Sequence, residues 1–314
     1  MIITCKIVYI AFPPHNFPVK TYITGATGRL GHSVLEQINA IPLVRKKSGL
    51  AKEVLTDFSE HSLKKILKGT THIVHLAGSV KTWDRNALEQ ANVELTRCIV
   101  NASPENCHIV FASSISVYGK KLAEIPADEE TPTSPDSDYA RTKLEAEQLV
   151  KQKKKHTILR IGTLYGPQFQ DYFNVLRMIE KGKMKIFGDG SNRISFIHSE
   201  DCAAVFPKAL KKTGTYVLAG PPATQRQIYT YAARALGVIP PNSTLPVWAG
   251  MLLARIQELR GSPRLTREHI SILSADRVFD YSKAQQELGF SPRPIKRGIE
   301  EMVSEYLGRK TQNK

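Results

Sequence analysis

The sequence predicts an α/β fold, a doubly wound parallel sheet with a smaller C-terminal lobe. Three observations carry this expectation. Strand-like and helix-like patterns alternate through the first half of the chain, as in a parallel sheet covered by helices on both faces. Gly25, Gly28 and Gly31 space a turn between the first β-prone run and the first helix-like stretch. After about Ile161 the pattern changes to a longer helix from Phe173 to Lys181, then short strands and a helical C-terminal region.

The first strand runs from Val19 to Thr24 and leads through Gly25-Ala26-Thr27-Gly28-Arg29-Leu30-Gly31 into a helix over Leu30 to Asn39. Glycines at such a junction permit the tight turn and let backbone amides approach a pyrophosphate at the helix N-terminus. The Gly-x-x-Gly-x-x-Gly spacing differs from the ordinary dinucleotide fingerprint, and flexible turns use spaced glycines too. Thr71 to Gly78 reads as a buried strand ending in small residues, where a backbone can lie close to a ligand. Ile109 to Gly119 reads as a second buried strand, ending in the hydroxyls of Ser113, Ser114 and Ser116. Open α/β sheets bind ligands at such strand ends.

Asp138-Tyr139-Ala140-Arg141-Thr142-Lys143 follows. Four apart on a helix, Tyr139 and Lys143 project from one face with Cβ atoms about 5–6 Å apart. An ammonium so close is expected to favour the phenolate and lower the tyrosine pKa, fitting it for proton exchange. A surface tyrosine beside a surface lysine is the bland alternative; the ordered set of glycine turn, small-residue strand end, serine strand end and Tyr-x-x-x-Lys argues against it.

With these motifs the chain resembles the extended short-chain dehydrogenase/reductase family, also called the NAD-dependent epimerase/dehydratase family. The resemblance runs from about Val19 to Leu307 and includes Gly188-Asp189-Gly190, Phe196 to Asp201, and Glu287 to Pro292. It implies a Rossmann NAD(P)-binding domain over 19–161 and a mainly substrate-binding lobe over 162–314, with the chain crossing between them. It also implies hydride transfer at nicotinamide, with Tyr139 exchanging the hydroxyl proton, Lys143 holding ribose hydroxyls and Ser114 bonding the reacting oxygen. Ser113 is the nearest competitor of Ser114. Cofactor contacts are expected from Gly25, Thr27, Gly28, Arg29, Leu30, Gly31, Leu55, Ala77, Gly78, Asn92, Tyr139 and Lys143. A homodimer is the assembly that family members often form.

In the Rossmann scheme a carboxylate after the second strand binds the ribose of NAD, whereas arginine accommodates the extra phosphate of NADP. Ile41 to Lys47 has no carboxylate, and Arg45 offers a planar fork, so NADP is favoured over NAD. The chain departs from the family where Val54 replaces the aspartate that often holds the adenine amino group. Two more departures concern substrate. Thr163 stands where nucleotide-sugar members usually carry asparagine, and Ile194 where they commonly carry arginine; neighbouring Arg193 should point to the opposite face of its strand. Leu265 to Glu268 and Asp280 to Ala284 look more like dihydroflavonol-reductase-like and 3β-hydroxysteroid-dehydrogenase-like members. The expected reaction is therefore at a secondary alcohol or ketone of a small molecule. A nucleotide-sugar epimerase or dehydratase is the alternative, and a non-catalytic dinucleotide-binding scaffold or redox sensor a third.

A formal charge of +15, from 44 Lys plus Arg against 29 Asp plus Glu, favours an anionic partner, which a phosphorylated cofactor satisfies. The basic residues are spread along the chain, so nucleic acid is not expected. The four cysteines have no Cys-x-x-Cys spacing and the nine histidines no metal-ligand spacing, which points to a reducing cytoplasm and no metal. Ile2 to Phe12 is apolar but too short for a membrane span, so residues 1–18 read as an extension of open role: an extra strand, a peripheral arm or a misassigned start. Val247 to Arg260 suggests an amphipathic helix expected to pack on the core, with a lid or a membrane-surface contact as alternatives.

Overall fold

The computed structural model describes residues 20–260 and 265–312, so the reading of residues 1–18 lies outside the described residues. The first half contains β1 (Thr21–Thr24), α1 (Arg29–Leu35), β2 (Ile41–Val44), β3 (Val54–Leu55), α2 (Glu60–Ile66), β4 (His72–His75), α3 (Arg85–Leu88), α4 (Leu95–Ala102), β5 (His108–Ser114), α5 (Asp138–Lys151) and β6 (His156–Ile161). There follow β7 (Thr163–Tyr165), α6 (Asp171–Glu180), β8 (Ile186–Phe187), β9 (Arg193–His198), α7 (Ser199–Ala203), α8 (Phe206–Ala209), β10 (Gly214–Leu218), β11 (Pro222–Thr224), α9 (Gln225–Ala235) and β12 (Thr244–Leu245). The C-terminal helices are α10 (Val247–Leu259), α11 (Arg267–Leu273), α12 (Ser282–Leu288) and α13 (Ile295–Gln312).

Seven strands form one sheet in the order β10-β6-β5-β4-β1-β2-β3, and every neighbouring pair is parallel. Strand order reverses beside β1, with β2 on one side and β4 on the other. Such a reversal opens a crevice at the carboxyl ends of the strands, the usual ligand position in this architecture. The fold is thus the Rossmann-type α/β sheet, and β10, from beyond residue 161, supplies its seventh strand.

Period-two alternation sorts the core. Ile23, Val74, Val110 and Leu159 face α1, α7, α8 and α12. Their neighbours Tyr22, Ile73, Ile109 and Ile158 face α2, α4 and α5. Parallel strands covered on both faces read as continuous apolar runs for this reason. A third apolar cluster joins α6, α9 and α13 through Phe173, Leu176, Tyr229, Ile299 and Met302. Beside it stand a three-stranded sheet, β11-β9-β7, and a two-stranded one, β12-β8.

Two element readings change. The serine-ended strand stops at Ser114 rather than Gly119, because the Ser114 hydroxyl accepts the Ser116 N–H at 3.1 Å and a 3₁₀ turn, Ile115–Tyr118, begins. The helix α10 seats Val247 and Met251 beside Phe187 and Ile270 but turns its other large apolar residues outward. Gly250 and Ala254 are its buried positions, while Trp248 is 71% exposed.

Candidate active site

The glycine turn is built for close approach. Gly25 has φ +72°, and a Cβ there would stand 2.6 Å from the Ala77 backbone nitrogen. A Cβ on Gly31 would collide with the carbonyl oxygens of Gly25 and Ala26. Gly28 is the N-cap of α1, has no side chain to cap it, and the first turn holds no acidic residue. The N–H groups of Arg29, Leu30 and Gly31 therefore lack partners inside the helix and suit an anion. The Arg29 guanidinium is engaged elsewhere, on Asp171 at 2.5 Å, so Arg29 has its backbone N–H to offer here. Thr27 is exposed on the turn.

At the edge of the crevice Arg45 follows β2, exposed, with its guanidinium 5.5 Å from the centre of the Phe58 ring. Leu55, at the end of β3, is 58% exposed, an unusual position for leucine that a flat ring would cover. Val54 packs against the core cluster beneath, so it offers no polar contact.

A chain of hydrogen bonds fixes the floor. Thr96 donates its hydroxyl hydrogen to the Asn92 carbonyl at 2.6 Å, and so accepts from His75 Nε2 at 2.9 Å. That leaves His75 Nδ1 as acceptor for the Thr24 hydroxyl at 2.7 Å, and Thr24 Oγ1 accepts the Ala77 N–H at 3.2 Å. His75 is therefore neutral with the proton on Nε2. Burial, aided by the nearby Lys143 charge, pushes its pKa down to about 3. The network locks the ends of β1 and β4, and with them Gly25 and Ala77, at the mouth of the crevice.

Asn92 lies in a π-helical turn, Glu89–Glu94, between α3 and α4. Its Oδ1 accepts the Ser79 N–H at 2.8 Å, and its Nδ2 donates to the Ser79 carbonyl at 3.2 Å and to Thr142 Oγ1 at 3.0 Å. Both amide hydrogens are thus spent on tying the loop after β4 to α5. Gly78 lies on the same loop; a Cβ there would meet Asn92 Oδ1 at 2.8 Å and Lys143 Nζ at 4.0 Å.

The structure brings Ser114, Tyr139 and Lys143 to one place. The Tyr139 hydroxyl lies close enough to the Ser114 hydroxyl for the serine to favour the phenolate. Lys143 is buried, donates to the Ala112 carbonyl at 2.5 Å, and lies 4.3 Å from the centre of the Phe111 ring. Period two separates Ser114 from Ser113, whose hydroxyl points to the other face of β5 and donates to Glu147 at 2.6 Å. Glu147 is fully buried and paired with Arg160, which holds it through two bonds of 3.1 and 3.0 Å.

One expectation is corrected. The tyrosine pKa is not lowered by the lysine: burial raises Tyr139, the Ser114 hydroxyl opposes this in part, and the charge of Glu268 adds to the rise. The ammonium of Lys143 is spent on Ala112, and burial lowers its own pKa to about 8. In the unliganded protein Tyr139 is a phenol, suited to donating a proton.

Residues that the motifs did not mark complete the site. Arg277, buried, donates to the carbonyls of Gly119 and of Ile115, at the two ends of the turn after Ser114. Glu268, at the start of α11, lies 3.9 Å from Lys120. Neither sits in a fixed-spacing motif. Thr24, His75 and Thr96 show only the period of their strands and helix. Thr163 is partly exposed on β7, whereas Ile194 is buried on β9. Arg193 faces away from Ile194 and pairs with Asp276 at 3.1 Å.

The chain belongs to the NAD dependent epimerase/dehydratase family, which residues 21–219 match. It is 26% identical over 309 residues to 3beta-hydroxysteroid-dehydrogenase/decarboxylase isoform 1 of Arabidopsis thaliana, covering 85% of this chain and 69% of that one. It is 27% identical over 251 residues to the uncharacterized protein y4nG of Sinorhizobium fredii, covering 76% of this chain and 63% of that one, so it spans somewhat under two thirds of that relative. Among solved structures, gox2253 superposes with a TM-score of 0.74 at 26% identity, over 92% of this chain and 98% of that one. UDP-N-acetylglucosamine 4-epimerase from Bacillus cereus shares the fold, with a TM-score of 0.72 at 23% identity over 91% and 96% of the two chains.

Proposed function

We propose that this chain is an NADP-preferring oxidoreductase that interconverts a ketone and a secondary alcohol. The observation that carries the reading is the meeting of the Tyr139 and Ser114 hydroxyls, with Lys143 four residues on and buried beside them. The glycine turn, the uncapped α1, exposed Leu55 and Arg45 fit a phosphorylated dinucleotide. When bound, nicotinamide would supply the hydride. The side chains do the rest. Ser114 and Tyr139 hold a carbonyl oxygen by hydrogen bonds, and Tyr139 passes its proton to that oxygen as negative charge develops. Lys143, cationic below about pH 8, would hold the ribose hydroxyls of the cofactor. The raised Tyr139 pKa keeps the phenol protonated at neutral pH, the form that donates.

Thr163 and Ile194 support a substrate without a nucleotide diphosphate. A site lacking a built-in partner discriminates strongly against the ligand that needs one. The second reading, a nucleotide-sugar epimerase or dehydratase, has a specific observation in its favour: the fold shared with the Bacillus cereus 4-epimerase. A thermal-shift series separates them. NADPH should stabilise the protein by mass action, while UDP, dTDP and UDP-glucose should not. A clear shift with UDP-glucose beyond that with UDP, in protein already holding cofactor, would favour the second reading.

A further inference from the structure

The helix α10 carries an apolar face that no other described residue covers. At 100° per residue, Trp248, Leu252, Ile256 and Leu259 fall within one narrow stripe. They are 71, 54, 41 and 81% exposed, and Leu253 beside them is 49% exposed. The opposite side of the helix is seated: a Cβ on Gly250 would stand 2.8 Å from the Phe187 ring and 3.3 Å from Ile270. The stripe therefore points away from the lobe and is no lid over a substrate. Contiguous apolar surface of this kind on a soluble domain marks an interaction site.

Charge and area select the occupant. Arg255 and Arg260 are exposed on either side of the stripe. The helix's one carboxylate, Glu258, is tied to Arg267 at 2.7 Å. The whole chain carries +15. Leucine, isoleucine and tryptophan flanked by arginines suit a bilayer interface, where anionic headgroups take the arginines. Self-association is the weaker fit. Thirteen residues make a helix about 20 Å long and 10–12 Å wide, a footprint of about 200 Å², against the ~800 Å² per partner of a stable interface.

We infer that α10 docks this protein on the surface of an anionic lipid bilayer. Trp248, Leu252, Ile256 and Leu259 enter the headgroup boundary, and Arg255 and Arg260 engage its phosphates. A cavity of about 400 Å³ lies between Trp83 and the C-terminal end of the helix, lined also by Arg255, Glu258 and Arg267.

The test uses the full chain with NADPH and vesicles of phosphatidylcholine, with or without phosphatidylglycerol. The sequence has two tryptophans, so Trp83→Phe leaves Trp248 as the sole reporter. Its emission should shift to the blue on adding anionic vesicles, and the chain should sediment with them. Leu252→Ser with Leu259→Ser, and separately Arg255→Glu with Arg260→Glu, should each lower partitioning by roughly tenfold or more. Melting temperature and NADPH binding of these variants should stay unchanged. No blue shift and no sedimentation at low salt overturns the inference. So does equal partitioning onto phosphatidylcholine alone, or a dimer in ultracentrifugation that the serine variant dissociates. Because the readout is lipid binding, it is independent of whether the proposed reduction is correct.

Discussion

At the scale of single residues, Tyr139 is the atom-level commitment. Tyr139→Phe removes the exchangeable proton and little volume. It should keep cofactor binding and lose turnover by roughly 10²–10⁴-fold, the usual worth of general acid–base catalysis. Ser113 and Ser114 give a paired contrast. Ser114→Ala should cut turnover at little cost in stability. Ser113→Ala should leave turnover intact and cost about 1–3 kcal/mol, because it strips a hydrogen bond from buried Glu147. Denaturant unfolding together with turnover of both variants checks the assignment, and the opposite pattern would exchange their roles.

Two titrations belong to the same scale. Lys143 has its pKa lowered to about 8 by burial, so kcat/KM for reduction should fall as pH rises through about 8 and the ammonium is lost. A profile flat across that range would remove Lys143 from the mechanism. His75 is neutral and buried, at about 3 against an ordinary 6.5. Between those values the unfolded chain binds a proton that the folded one does not, so stability is fully present above 6.5 and falls as pH drops toward 3. Melting curves at neutral and mildly acid pH should show a shallower acid loss in His75→Gln than in the parent.

At the scale of elements, the turn between β1 and α1 depends on having no Cβ at Gly31. Gly31→Ala drives a methyl into two backbone carbonyls, which cannot step aside as a side chain could. The helix must move off the strand, and NADPH binding should weaken by roughly tenfold or more, each tenfold being about 1.4 kcal/mol. Calorimetric titration reads this directly. Arg45→Ala acts at the end of β2 and should weaken NADPH more than NADH, because only NADPH has the extra phosphate. Equal weakening of both, or tighter binding of NADH by the parent, would replace NADP with NAD.

The elements also show what the sequence makes legible. The glycine turn, the apolar strands and Tyr139-x-x-x-Lys143 are local patterns, and period two or 3.6 carries them straight into structure. The resemblance put Ser114 ahead of Ser113, and the pleat of β5 with the position of Glu147 supplies a physical reason. The Tyr139 pKa direction was misread because helix spacing sets proximity but not burial, and burial outweighs a lysine whose hydrogen bond goes to Ala112. The outward face of α10 was misread for a related reason: amphipathic spacing identifies a face without saying which way it turns.

At the scale of the whole molecule, the site is assembled from distant parts of the chain. Arg277 reaches the turn after Ser114 from a point more than 150 residues later. The Arg29–Asp171 pair links the glycine turn to α6. Long-range contacts of this kind carry no sequence period, which is why Arg277 stood unmarked and Glu268 was named only within the Leu265–Glu268 stretch. The seven-stranded sheet, with β10 returning to its edge, supplies the rigid frame on which these contacts converge.

The central claim is net oxidoreduction with Tyr139 as proton donor. The most direct measurement follows nicotinamide absorbance while NADPH is mixed with a panel of ketones, and with UDP- and dTDP-sugars in parallel. NADPH should be consumed in step with alcohol formed from a ketone, and Tyr139→Phe should bind NADPH without consuming it. Conversion of a nucleotide sugar to its isomer with no net change in cofactor, or undiminished consumption by Tyr139→Phe, would contradict it.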